Sequence, residues 1–144
     1  MRIESFRIVV DTYAWIEYFR GSRIGEKVKE YLIQADYAYT PTIVLAEIAR
    51  KYIREGMDLS VVEKRLEIIE EVSTIIGIDH KIALEAGKAY VELLQYSKKQ
   101  QLKTVPGLAD AIVLATARIL KAKVLTSDKH FKNLKETIWI GKET

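Results

Sequence analysis

Cysteine is absent from the 144-residue chain, so neither a disulfide nor a thiolate-ligated metal site is open to it. Histidine occurs only at His80 and His130, which excludes a histidine-rich zinc centre. Any metal would have to be held by oxygen ligands, and that chemistry points to Mg²⁺ or Mn²⁺. Long apolar runs are missing as well. None approaches the roughly 20 residues of a membrane span. The opening MRIESFRIVVD is too short and too polar for a signal peptide. A cytoplasmic chain with no membrane partner is the expectation. Charge of one sign is in small excess, 23 basic against 20 acidic residues for a net charge of +3. That balance permits an anionic partner such as nucleic acid without requiring one.

What is present suits one domain over residues 1–144, with 49% hydrophobic residues to build its core. A chain of this size buries about 68–70% of the surface its unfolded form exposes, so no covalent staple is needed. Short β-branched runs alternate with amphipathic stretches. Ile8-Val9-Val10, Tyr37 to Thr40, Thr74-Ile75-Ile76 and Val124-Leu125-Thr126 read as strands, and Ile138 to Ile140 as a small fifth. Between them the spacing predicts helices. The first is opened by Asp11 or Thr12 and stopped by Gly21, and the second is capped by Ser22. A third has Pro41 at its first position, and a fourth opens on a capping box at Ser60-Val61-Val62-Glu63. A long one runs from Asp79 to about Tyr96, and an almost wholly apolar one lies in ADAIVLATARIL. SKKQQLKTVPGL, Ser97 to Leu108, reads as the one clear loop. The alternation predicts a three-layer α/β/α sandwich on a central parallel sheet of four to five strands. Right-handed crossovers would then gather the C-terminal ends of the strands on one rim, where ligands bind in such sheets.

Two strands end on acids at that rim: VVDTYAW on Asp11 and LTSDKHF on Asp128. Two more acids have apolar company, Glu47 in TIVLAEIA and Asp110 in LADAIVLATA. Buried carboxylates are rare unless paired, hydrogen-bonded or metal-bound. Each alone has a plain structural reading. Asp11 would be a helix cap, Asp128 a turn cap, Asp110 a first-turn acid facing the helix dipole, and Glu47 the wet edge of an apolar face. Together, crowded carboxylates would hold protons at neutral pH unless a cation compensates. His130 and His80 read as a structural turn residue and a surface residue. Trp15, Tyr18 and Phe19 read as core or as a partner contact.

Taken in order, VVDTYAWIEYF, TPTIVLAEIARKY, GLADAIVLATA and TSDKHF give the chain a resemblance to the PIN domain family, and within it to the VapC-like toxins of prokaryotic toxin–antitoxin pairs. The resemblance implies a metal-dependent endoribonuclease. Asp11, Glu47, Asp110 and Asp128 match the family's four acidic positions. Asp11, Asp110 and Asp128 would ligate Mg²⁺ or Mn²⁺, Glu47 would ligate or orient a water, and Thr12 and Thr126 are the supporting hydroxyls. It also implies a small antitoxin partner and a homodimer. Arg20, Lys98, Lys99, Lys103 and Lys129 are candidates to hold RNA, each of them ordinary surface charge if taken singly. Two rivals stand beside it. One is a non-catalytic RNA-binding or scaffolding module on the same fold, which would bind without cutting. The other is a phosphatase with a nucleophilic first-strand Asp, against which Tyr13 counts, since such enzymes carry a second acid there.

Overall fold

The computed structural model describes residues 4–142. Its sheet has five strands, all parallel, in the order β3-β2-β1-β4-β5. These are β1 (Arg7–Val10), β2 (Tyr37–Pro41), β3 (Thr74–Ile76), β4 (Lys123–Thr126) and β5 (Thr137–Trp139). The helices are α1 (Thr12–Arg20), α2 (Arg23–Gln34), α3 (Thr42–Arg54), α4 (Leu59–Val72), α5 (His80–Lys99) and α6 (Leu108–Leu120). From β1 to β3 the chain moves one way across the sheet, and from β3 to β4 it jumps back past β1. Right-handed crossovers therefore place α1 to α4 on one face and α5 and α6 on the other. This is the expected α/β/α sandwich.

The central strands are apolar because both their faces are covered. Ile8, Val9, Val10, Val124 and Leu125 are fully buried, and each such side chain contributes about 1.5–3 kcal/mol to the core. On α6 the run Ala111 to Ala117 is buried, as its composition predicts, while Leu108 and Ile119 at its two ends are exposed. The aromatic face of α1 is core: Trp15 is completely buried against Tyr18 and Phe19, and its Nε1 donates to Thr40 Oγ1 at 3.1 Å.

Several boundaries differ from the sequence expectation. Asp58, not Ser60, caps α4, its carboxylate accepting the Ser60 amide at 3.2 Å. Asp is as good a cap as Ser, and it stands nearer the Gly56 reversal. Pro41 closes β2, pairing with Ile76, and stands before the first helical residue instead of at it. The long helix α5 continues to Lys99, so Ser97, Lys98 and Lys99 are helical. Buried Ser97 donates to the Thr104 carbonyl at 3.1 Å, which ties the following loop back onto the helix, and Gln101 reverses the chain at φ 56°. Lys135 and Glu136 lead into β5 one residue earlier than its hydrophobic run suggests.

Candidate active site

The strand order reverses between β1 and β4, the switch point at which open parallel sheets bind ligands. Val10 pairs with Leu125, so the next residue on each strand, Asp11 and Thr126, stand side by side at the rim. Asp11 is 3% exposed. Although it precedes α1, its side chain makes no cap bond. Its Oδ2 instead accepts a hydrogen bond from buried Thr126 Oγ1 at 2.7 Å. Thr126 Oγ1 also accepts the Asp128 amide at 2.9 Å, so one hydroxyl fixes the first acid and the turn that carries the last. Asp128 does cap its turn: Oδ1 accepts the His130 amide at 2.9 Å and His130 Nδ1 at 3.0 Å. His130 Nε2 faces Thr104, 3.0 Å from its carbonyl and 3.2 Å from its hydroxyl. The loop before α6 is thereby latched to the acid.

Asp110 enters from the first turn of α6, where its carboxylate accepts the Gly107 amide at 2.8 Å. Ligating atoms of Asp110, Asp128 and His130 lie within 4.8 Å of one another. Glu47 arrives from α3; Thr12 Oγ1 donates to its Oε1 at 2.7 Å, and Arg50 stands 4.0 Å from its Oε2. Asp11, Glu47, Asp110 and Asp128 all line one open cleft of about 610 Å³, together with Thr12, Tyr13, Arg50, Lys51, Arg54, Thr104, Ser127, Lys129 and His130.

The electrostatics are those of acids without an internal counter-charge. Burial, and then the charges of Asp128 and Asp110, push the Asp11 carboxyl up from 3.8 to about 8, against the pull of the Thr126 hydrogen bond. Asp110 is raised to about 6 by burial and by Asp128, with the Gly107 amide and His130 working the other way. The Tyr13 phenol is held above its usual range by burial and then by the same acids. The cations of the cleft stand outside this cluster. Arg50, Arg54 and Lys129 are exposed. A divalent ion fits the donor set: three carboxylates that disfavour one another's ionisation, with hard oxygen ligands and one imidazole beside them.

Of the basic residues the sequence suggested, only Lys129 lines the cleft. Arg20 lies at the far end of α1, paired with Glu17 at 2.9 Å, and Lys98 and Lys99 belong to the last turn of α5. Lys103 is not a lining residue either. In their place stand Arg50, Lys51 and Arg54. They follow Glu47 at i+3, i+4 and i+7, so helical spacing puts them on its face. That spacing was the available signal.

A family model described as PIN domain matches residues 8–136. The chain belongs to the PIN domain family. No curated protein matches it in sequence. Among solved structures, this PIN domain is similar to a chain of a toxin–antitoxin complex from Klebsiella pneumoniae, with 23% identity, a TM-score of 0.67, and coverage of 92% of this chain and 97% of that one. It is similar to a chain of VapBC2 from Rickettsia felis bound to a promoter DNA fragment, with 19% identity, a TM-score of 0.70, and coverage of 93% and 97%. A third likeness is to VapBC-1 from nontypeable Haemophilus influenzae, with 22% identity, a TM-score of 0.64, and coverage of 93% and 96%. At these identities the likeness establishes the fold of the PIN domain, and its chemistry has to be argued from its own cleft.

Proposed function

We propose that this PIN domain is a divalent-metal-dependent endoribonuclease, the toxin of a VapBC-type pair, acting in the cytoplasm as a homodimer held in check by a small antitoxin. The observation that carries the nuclease reading is the gathering of Asp11, Glu47, Asp110 and Asp128 around one cleft, bordered by exposed Arg50, Arg54 and Lys129. The antitoxin rests on the likeness to chains of toxin–antitoxin complexes, and the homodimer on the family resemblance alone. Among the described residues no helix is long and apolar enough to cross a membrane, which agrees with a cytoplasmic site of action.

Asp11, Asp110 and Asp128 would hold Mg²⁺ or Mn²⁺. When bound, such an ion activates a water and stabilises the leaving oxygen of a phosphodiester. The chain's own groups do the rest. Thr126 fixes the Asp11 carboxylate, and His130 fixes that of Asp128. Glu47, held by Thr12, has its other oxygen to orient the attacking water. Arg50, Lys51, Arg54 and Lys129 bind the phosphates on either side of the cut, which would leave a 3′-hydroxyl and a 5′-phosphate.

The test is cleavage of a generic single-stranded RNA with Mn²⁺, with Mg²⁺ and with chelator, by the wild type and by Asp11→Asn and Asp128→Asn. Each Asn keeps the shape and removes a ligand charge. Cleavage should need the metal and vanish in both variants. Wild-type rates in the variants would sink the assignment, and RNA binding without any cleavage would favour the scaffolding module.

A further inference from the structure

Tyr13 and Tyr37 are the two half-exposed tyrosines, and of the two only Tyr37 has a ring and a cation against it. Tyr13 lies one residue beyond Thr12 at the start of α1, it is 50% exposed, and it lines the acidic cleft. The other aromatics of α1 turn inward: Trp15 packs on Tyr18 and Phe19, and those two pack on each other. Tyr31, Tyr37, Tyr39, Tyr52 and Trp139 each meet another ring or a cation. Among the described residues, Tyr13 is engaged in no ring pair, no cation–π contact and no side-chain hydrogen bond. Folding therefore gains little from this side chain, which keeps about half its surface in water beside the reacting groups. A single-stranded nucleic acid bound with its phosphates on Arg50, Arg54 and Lys129 must put its bases somewhere. The acids repel anions and offer a base no apolar surface, whereas an exposed aromatic face stacks any base, with modest preferences set by stacking strength.

We propose that Tyr13 is a stacking platform for one nucleobase next to the scissile phosphate, a substrate-positioning residue that acts through its ring and not through its hydroxyl. The proposal rests on the nuclease reading above and adds to it. The ring sets which nucleotide is gripped, and the metal site sets where the chain is cut. A flat hydrocarbon face accepts purines better than pyrimidines, so a purine at the gripped position should be favoured.

The experiment measures binding of a short fluorescein-labelled single-stranded RNA by anisotropy with Ca²⁺, and cleavage of the same RNA with Mn²⁺. Wild type, Tyr13→Phe, Tyr13→Leu and Tyr13→Ala are compared on the intact RNA and on a series with one abasic nucleotide moved along it. Tyr13→Phe should bind and cut within about twofold of wild type. Tyr13→Ala and Tyr13→Leu should bind about 5- to 100-fold more weakly, the range of a lost base–aromatic stack, with KM raised more than kcat falls. One abasic position should weaken wild-type binding by a similar factor and leave Tyr13→Ala unaffected. The idea is overturned if Tyr13→Phe loses as much as Tyr13→Ala, which would make the hydroxyl the acting group. It is overturned equally by Tyr13→Ala binding like wild type, or by an abasic series that weakens wild type nowhere. A wild type that neither binds nor cuts RNA would remove the nuclease reading along with it, whereas cleavage with an indifferent Tyr13 removes the platform alone.

Discussion

The two ends of α6 handle crowded carboxylates in opposite ways. In the last turn Arg118 meets three of them: Glu92 at 2.5 Å, Glu136 at 2.9 Å and Glu85 at 3.2 Å. Burial works against the Arg118 charge, yet its hydrogen bonds to Glu92 and Glu136 outweigh it and hold the guanidinium above its usual range. In the first turn Asp110 faces Asp11 and Asp128, and no arginine or lysine enters that group. There the acids are raised instead, Asp11 to about 8. The same helix thus carries one acid cluster bridged by a cation of the chain and one left for a proton or an external cation. Carboxylates that stabilise a fold come with a partner built in, and carboxylates that serve chemistry come without one.

The largest test of this contrast is Asp11→Asn. It should lower metal-dependent cleavage by roughly 10³-fold or more. In metal-free buffer at pH 8 it should also raise the melting temperature by roughly 5 °C, because it removes an uncompensated buried charge. A variant that loses both activity and stability would show that the carboxylate is a structural partner after all. At the other end, Arg118→Met should destabilise the protein by roughly 1–2 kcal/mol in urea unfolding, since it removes the one cation that a partly exposed group of three acids shares. A change below about 0.5 kcal/mol would put the two clusters in one class.

A weaker effect concerns pH. The folded Asp11 carboxyl titrates near 8 instead of 3.8, so between those values the metal-free folded state holds a proton that the unfolded state has released. The contribution of Asp11 to stability is therefore greatest below about pH 4 and declines as pH rises toward 8, with Asp110 adding to the fall up to about 6. Thermal melts across that range should show the decline, and saturating Mn²⁺ or Asp11→Asn should flatten it. A stability that climbs with pH would contradict the assignment of Asp11. The smallest effect is at the latch. His130→Asn frees Thr104, so limited proteolysis between Gln100 and Gly107 should quicken several-fold while cleavage of RNA falls by about tenfold. Unchanged proteolysis would mean that the Ser97 bond alone holds the loop.

The sheet was legible because its strands are short β-branched runs between helical stretches, Asp11 and Asp128 because they end two of those strands, and Glu47 and Asp110 because their neighbours are apolar. The basic side of the cleft was not. In AEIARKYIREG, Arg50, Lys51 and Arg54 look like any solvated face, and only the position of Glu47 makes them neighbours of the site. The loop lysines drew attention through their density, yet α5 runs on and carries Lys98 and Lys99 in its last turn. His130 seemed a structural turn residue. It is one, since Asp128 caps its amide, but the acid that its ring fixes in turn belongs to the cleft. Helix ends were misplaced where two capping residues compete within one turn, as Asp58 and Ser60 do.

The hydrogen bond from Thr126 to Asp11 joins residues 115 positions apart. A ribosome making this protein releases Asp11 well before Thr126 and Asp128. Until β4 has emerged and slotted beside β1, the growing polypeptide carries its acids without the geometry to use them. If the proposed cleavage of RNA is borne out, the message being translated is spared by its own unfinished product.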